Sequence, residues 1–325
     1  MRWRTWLRIL QVLVTVGLIT LLLRAVDWAG FWGLAARVRW GMVALCGVVL
    51  LSSHLVNVLR WRFLLQRQGV GFGILLAVYG AGLFCNNILP TGIGGDGLRA
   101  AMLSRRVPGA RALLSVILDR GLGLLALTVL LGPGLWFGLP AGLEVGWGRF
   151  LAIGGRPWLG PALSLATAAL VLIGLVAWYR VPRVRLWMRD LRARWVTSLQ
   201  ELRWSPGRWA GLVAGGYGLS VVSQLCLLAN IWLALQALRI QAPVGSAIWL
   251  LIIGSVALLL PVTINGLGLQ EGLYVVLLAA YGVPQPAALS VALLLRLQMV
   301  FSGLLGGLLS LWRGPSGRGE KEEGP

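Results

Sequence analysis

The sequence predicts an all-α polytopic membrane protein, and three observations carry the prediction. Hydrophobic residues fill 58% of 325 positions while charged residues fill only 12%, about half the fraction of a soluble globule. Several apolar runs reach the roughly 18 residues that mark a spanning helix. The short alternating segments of a β-barrel are absent.

Full spans are expected at about Trp6–Leu23, Trp40–Leu59, Leu113–Leu131, Trp158–Tyr179, Trp209–Leu238 and Ala288–Trp312. The stretch Met1–Leu23 has Arg2, Arg4 and Arg8 ahead of an apolar run from Ile9 to Leu23 and resembles a signal peptide at first sight. Its long apolar core and the poor cleavage site Arg24-Ala25-Val26-Asp27 favour a retained helix. Between the second and third of these spans, Ile74–Leu89 runs into Pro90. Between the last two, Ala247–Leu260 runs into Pro261, and a short apolar piece, Leu273–Tyr281, follows. The expected count is therefore about six full spans plus two re-entrant helical hairpins, or eight to nine spans if the hairpins cross. The whole of residues 1–312 forms one transmembrane domain, and the polar tail 313–325 is expected to be disordered.

The two interruptions are built alike. The first reads Leu89-Pro90-Thr91-Gly92-Ile93-Gly94-Gly95-Asp96-Gly97-Leu98-Arg99, the second Leu260-Pro261-Val262-Thr263-Ile264-Asn265-Gly266-Leu267-Gly268-Leu269-Gln270-Glu271-Gly272-Leu273. Each passes from Leu-Pro through a glycine-rich turn to an acid-Gly-Leu triplet. An arginine follows each acid at nearly equal distance, 24 positions from Asp96 to Arg120 and 25 from Glu271 to Arg296. Pro and Gly that break apolar segments at corresponding places in two halves point to an inverted repeat and to a transport site. Non-helical backbone at membrane depth is tolerated only where protein or a water-filled cavity satisfies it.

The net charge of +19 comes from arginines in short segments beside apolar runs, the pattern of the positive-inside rule rather than of nucleic-acid binding. Arg2, Arg4 and Arg8, then Arg60, Arg62 and Arg67, then Arg105, Arg106 and Arg111, mark inside segments. So do the eight arginines of residues 180–208, and Arg313, Arg318 and Lys321. Both termini are expected on the cytoplasmic side of the cell (inner) membrane. The first hairpin then enters from the inner face and the second from the outer. Residues 180–208, with Trp187, Trp195 and Trp204, read either as a helix lying on the inner leaflet or as a solvated loop with aromatic anchors.

Three acids, Asp96, Asp119 and Glu271, fall where lipid would surround an ordinary helix, a placement costing roughly 2.5–3.5 kcal/mol each on lenient scales. Arg99, Arg120 and Arg296 are their expected partners. Asp119 and Arg120 are adjacent, so they point to different sides of a helix and pair with other groups. Two readings stand: a binding site, or buried ion pairs that fix helix register. A helix starting near Gly95 or Asp96 would offer unpaired N–H groups to an anionic headgroup, with Gly94 and Gly95 allowing close approach. Asp96 taken alone reads as an N-cap. Gly266, Gly268 and Glu271 repeat the arrangement, and Asn86, Asn87, Asn265, Gln270 and Gln298 add uncharged donors and acceptors. His54, near Ser52, Ser53 and Asn57, reads as a hydrogen-bonded helix contact. Cys46, Cys85 and Cys226 have no metal-binding spacing, and no metal or other cofactor is expected. No hydrolase or phosphate-loop motif is present, so no enzyme is expected.

Asn86 to Arg99, then Ala110-Arg111-Ala112 with Ile117 to Gly123, then Pro261 to Gly272 with Gly282-Val283 and Leu295-Arg296, resemble three successive signatures of the lysylphosphatidylglycerol synthase transmembrane, or flippase-like, family. The resemblance covers roughly residues 5–312. It implies an inner-membrane protein with two re-entrant segments that translocates lipid or polyprenyl-linked lipid. Relatives in that family include the flippase half of the multiple peptide resistance factor, hopanoid-associated proteins and archaeal glycosylation-linked proteins. The aminoacyl-transferase domain of the lysyl-lipid synthase is not expected here, since 13 residues follow Trp312, and lysyl transfer is not carried over. The expected partners are membrane lipids. A membrane scaffold that binds lipid or a lipid-modifying enzyme is the competing reading.

Overall fold

The computed structural model describes residues 38–66, 69–88, 94–136, 206–258 and 263–313, with Gly17 and Thr20. The expected spans at Trp6–Leu23 and Trp158–Tyr179, the basic segment 180–208 and the tail 313–325 lie outside those residues, apart from Gly17, Thr20, Arg313 and 206–208. So do Leu89–Ile93 and Leu259–Val262, which include Pro90 and Pro261.

Among the described residues the protein is helical, without strands. Four helices are α1 (Trp40–Leu64), α2 (Phe72–Ile88), α3 (Gly94–Leu103) and α4 (Gly109–Ala126). They are followed by α5 (Thr128–Trp136), α6 (Pro206–Ala237), α7 (Val244–Ala257), α8 (Leu269–Ala280) and α9 (Gln285–Arg313). Prolines punctuate the chain where helices begin: Pro108 precedes α4 and Pro243, with extended backbone, precedes α7.

Among the described residues, four segments are long and apolar enough to cross a membrane: Trp40–Leu64, Gly109–Gly134, Ala210–Ala237 and Gln285–Trp312. They match the four expected full spans within the described residues. The protein is thus a polytopic membrane protein. The arms of the two interruptions are shorter. At ~1.5 Å per residue, α2 is about 26 Å long, α7 about 21 Å, α8 about 18 Å and α3 about 15 Å, against a hydrocarbon core of about 30 Å.

The helices pack in two corresponding sets. α1 lies along α6, and α2 along α9; α2 also packs on α3, and α3 on α4, while α7 packs on α8, and α8 on α9. Glycines set the closest approach. Gly80 on α2 meets Gly306 on α9 so tightly that an added Cβ at Gly80 would stand 2.6 Å from the Gly306 carbonyl oxygen. Small residues allow such crossings where no hydrophobic effect drives helices together. Leucines and phenylalanines such as Leu297, Phe301, Leu308 and Leu311 stay exposed on α9, as they would toward lipid.

Candidate functional site

Each interruption leads into a helix whose third residue is the acid. Asp96 follows Gly94 and Gly95 in α3, and Glu271 follows Leu269 and Gln270 in α8. The arginine 24 or 25 positions later returns from the next helix to meet it. Arg120 Nε on α4 donates to Asp96 Oδ2, and Arg296 Nε on α9 donates to Glu271 Oε1. The same pairing of acid, helix turn and arginine thus occurs in both halves.

The surroundings of the two pairs differ. Asp119 turns away from Arg120 into the bundle, as a 100° step between neighbours on a helix requires. Its Oδ1 accepts from Arg60 Nε at 2.7 Å and its Oδ2 from Arg99 Nη2 at 3.1 Å. Arg99 Nη1 reaches back to Asp96 Oδ1 at 3.3 Å. The Arg99 guanidinium lies 4.2 Å from the Trp61 ring and 4.8 Å from Tyr79. Arg60 Nη1 donates to Ser220 Oγ on α6 at 2.9 Å. Gly82 makes room for this: a Cβ there would stand 2.7 Å from Arg99 Cγ and Cδ. Three arginines and two aspartates meet here, an excess of one positive charge.

Arg60 departs from expectation. The sequence places the end of this span at about Leu59, with Arg60, Arg62 and Arg67 following it, but α1 runs on to Leu64 and buries Arg60 at 6% exposure. The buried carboxylate of Asp119 recruits it. A signal was present: Arg60 stands on the same helical face as Ser53 and Asn57, at spacings of seven and three. Asp96 also departs from the N-cap reading. The helix starts at Gly94, and the carboxylate oxygens go to Arg99 and Arg120. The Gly95 N–H instead donates to Asn86 Oδ1 at 2.8 Å, tying the start of α3 to the end of α2.

In the second half Arg296 is held on several sides. Its Nη1 donates to the Asn265 carbonyl at 3.0 Å and its Nη2 to Gln270 Oε1 at 3.1 Å. Glu271 Oε2 accepts the Gly268 N–H at 2.7 Å, closing the first turn of α8. Asn265, Gly266 and Gly268 all have positive φ, at 48°, 71° and 79°. That is the region glycine and, less readily, asparagine tolerate. Asn265 Nδ2 donates to Asn87 Oδ1 at 3.2 Å, and Asn87 Nδ2 to the Met299 carbonyl at 3.3 Å. The neighbours Asn86 and Asn87 therefore bind one interruption each.

A cavity of about 240 Å³ opens on the first cluster. Arg60, Arg99, Asp96, Asp119 and Arg120 line it, with Asn86 and Gln224 on its wall and Ser255 and Leu258 from the second half. At ~30 Å³ per water it would hold about eight waters or a group the size of a phosphate. The Arg120 side chain is 36% exposed, against 7% for Arg60 and Arg99. A much smaller cavity, about 40 Å³, lies beside Glu271 and Arg296. Gly94 stands at the start of α3, whereas Gln298 belongs elsewhere, accepting from Asn230 Nδ2 at 3.1 Å. His54 Nδ1 meets Tyr79 Oη at 3.3 Å. Among the described residues no cluster of three His, Cys, Asp or Glu side chains forms.

The family model for the lysylphosphatidylglycerol synthase TM region matches residues 8–307. The chain belongs to that family. The match spans both interruptions and both acid–arginine pairs, and it makes this protein a membrane protein of a family linked to lipid handling. No curated protein matches the chain.

Proposed function

We propose that this member of the lysylphosphatidylglycerol synthase TM family moves an anionic lipid between the leaflets of the cell membrane. One observation carries the reading: a buried cluster with one excess positive charge lines a cavity whose most exposed cation is Arg120. A headgroup phosphate would enter beside Arg120 and compete with Asp96 for its guanidinium. Arg60 and Arg99, held by Asp119, would supply the field behind it without moving. Charge-assisted hydrogen bonds from arginine suit phosphate oxygens. The acyl chains would remain in the bilayer.

The short arms support two re-entrant hairpins that meet through Asn87 and Asn265. With the arginine distribution of the sequence, the hairpins open to opposite leaflets and both termini lie in the cytoplasm. The chain then acts as a transporter and not as an enzyme, needs no cofactor, and has membrane lipids as its partners.

The test uses vesicles of anionic phospholipid carrying fluorescent phosphatidylglycerol, with a membrane-impermeant quencher added outside. Translocation makes nearly all of the probe quenchable, while a non-transporting protein leaves the inner half protected. The second reading, a scaffold working through the eight arginines of residues 180–208, predicts the protected half and loss of cellular function on neutralising those arginines.

A further inference from the structure

A second cavity, about 760 Å³ and open to one side, lies apart from the polar cluster, between the end of α1 and the start of α6. Leu59, Arg62, Phe63 and Gln66 line it from the α1 side, and Leu212 and Leu219 from α6. Leu59, Arg62, Phe63 and Gln66 recur at helical spacing and form one stripe. Arg60 stands two positions before Arg62, about 200° away around the helix, and turns into the bundle toward Asp119. The two helices run antiparallel here. The Phe63 ring lies over Gly215 and Leu64 over Gly216, while Arg60 reaches Ser220. Gly211 leaves the wall of the groove bare, since a Cβ added there would meet nothing within 4 Å.

Arg60, Arg99, Arg120 and Arg296 each hold a carboxylate. Arg62 holds none among the described residues, and no acid stands among those lining the groove. Its Nε is buried without a hydrogen-bond partner. Its Cζ lies 6.0 Å from the centre of the Phe72 ring, at the limit of a cation–π contact. A cation in the last turn of α1 suits the helix dipole, which accounts for the residue type but leaves the donors unanswered. Buried donors in native proteins are bonded. The rest of the lining is mainly apolar, and Leu59 and Phe63 remain 45% and 41% exposed. A free phosphate would answer Arg62 and leave those side chains bare. A neutral hydrocarbon would cover them and leave Arg62 unanswered. A phospholipid does both. A choline headgroup carries its own cation beside the phosphate, so an unpaired arginine selects a lipid of net negative charge.

We propose that this groove is a binding site for an anionic phospholipid, distinct from the polar cavity, with the lipid phosphate on Arg62 and the upper part of one acyl chain between α1 and α6. From Leu59 to Gln66 the groove is about 10 Å long at ~1.5 Å per residue, so the rest of the chain continues into the bilayer. The lipid bridges the two helices that carry Arg60 and Ser220. The site does not depend on the transport reading, because Arg62 and Arg60 point apart and the two cavities share no lining residue.

The full chain is placed in phosphatidylcholine nanodiscs holding a trace of phosphatidylglycerol or phosphatidylcholine with a diazirine high in one acyl chain. After photolysis the adducts are mapped by mass spectrometry. Leu59, Phe63, Leu212 and Leu219 should be labelled about fivefold more by the phosphatidylglycerol probe than by the phosphatidylcholine probe. Leu308 and Leu311, exposed on α9, should be labelled equally by both and report the fold of each variant. Arg62→Gln should bring the groove ratio close to that of α9, and Arg62→Lys should keep most of it. Gly211→Phe, which fills the groove and leaves Arg62 in place, should suppress labelling by both probes. Arg120→Ala should leave the ratio as in wild type, so failure of the transport reading does not touch this one. Equal labelling by the two probes in wild type would overturn the proposal. So would a preference that survives Arg62→Gln or is lost in Arg120→Ala. Absence of adducts from both probes would show the groove filled by the chain itself and would overturn it too.

Discussion

Asn265 donates its side-chain amide to Asn87 Oδ1 at 3.2 Å, joining two interruptions that lie 178 positions apart. Asn87 is the last-but-one residue of α2, and Asn265 sits at φ 48° in the turn before α8. The two halves of the chain therefore meet at their breaks, beside both acid–arginine pairs.

Arg120→Ala should separate activity from stability. Its side chain is 36% exposed, and Asp96 keeps Arg99 as a partner. Losing a charge-assisted bond worth about 1.5–3 kcal/mol to the headgroup should slow translocation roughly 10- to 100-fold. Protein abundance in the membrane, measured by immunoblot, should stay near that of wild type.

Glu271→Ala should behave differently. It strands the buried Arg296 guanidinium, a cost of roughly 3–5 kcal/mol when one member of a buried pair is removed. Thermal unfolding in detergent should drop clearly. Adding Arg296→Met to Glu271→Ala should recover much of that stability without restoring transport. If the double variant is no more stable than Glu271→Ala, the pair is not coupled as described.

Asn265→Gly and Asn265→Val distinguish backbone from side chain. Glycine accepts the positive φ, so only the amide link to Asn87 is lost. One neutral hydrogen bond is worth about 0.5–1.5 kcal/mol, which predicts a threefold to tenfold fall in translocation with little loss of stability. A β-branched residue adds backbone strain, and Asn265→Val should also lower the melting temperature.

Gly306→Ala tests the crossing of α2 and α9. The new methyl group would meet the Gly80 backbone, which has no side chain to move aside. Overpacking of this kind costs about 1–3 kcal/mol. Gly121→Ala, at a position open on all sides, is the control and should leave stability unchanged when both are melted in parallel.

Much of this arrangement is legible in the sequence because lipid simplifies the rules. A charge in an apolar run must have a partner, so Asp96, Asp119 and Glu271 announce themselves, and Arg120 and Arg296 stand at matching distances. The partition of Asp119 from Arg120 follows from helical geometry alone. Arg60 escaped because it is followed by Arg62 and because the inside-facing arginines it resembles are the commoner case. Its role depends on Asp119, 59 positions away, and Ser220, 160 positions away. No local pattern encodes contacts at those separations. The role of Asn87 as a strut to Asn265 was hidden for the same reason, although both residues stood out as polar groups near the breaks. The Trp61 and Tyr79 faces on Arg99 could not be read at all, since aromatics in an apolar helix are expected everywhere.

The most direct measurement is leaflet-resolved lipid profiling of cells lacking this protein, complemented with wild type or with Arg120→Ala at equal abundance. Translocation through the paired interruptions predicts an anionic lipid that accumulates in one leaflet and is redistributed by wild type but not by Arg120→Ala. An unchanged leaflet distribution in the deletion, or full rescue by Arg120→Ala, would contradict it.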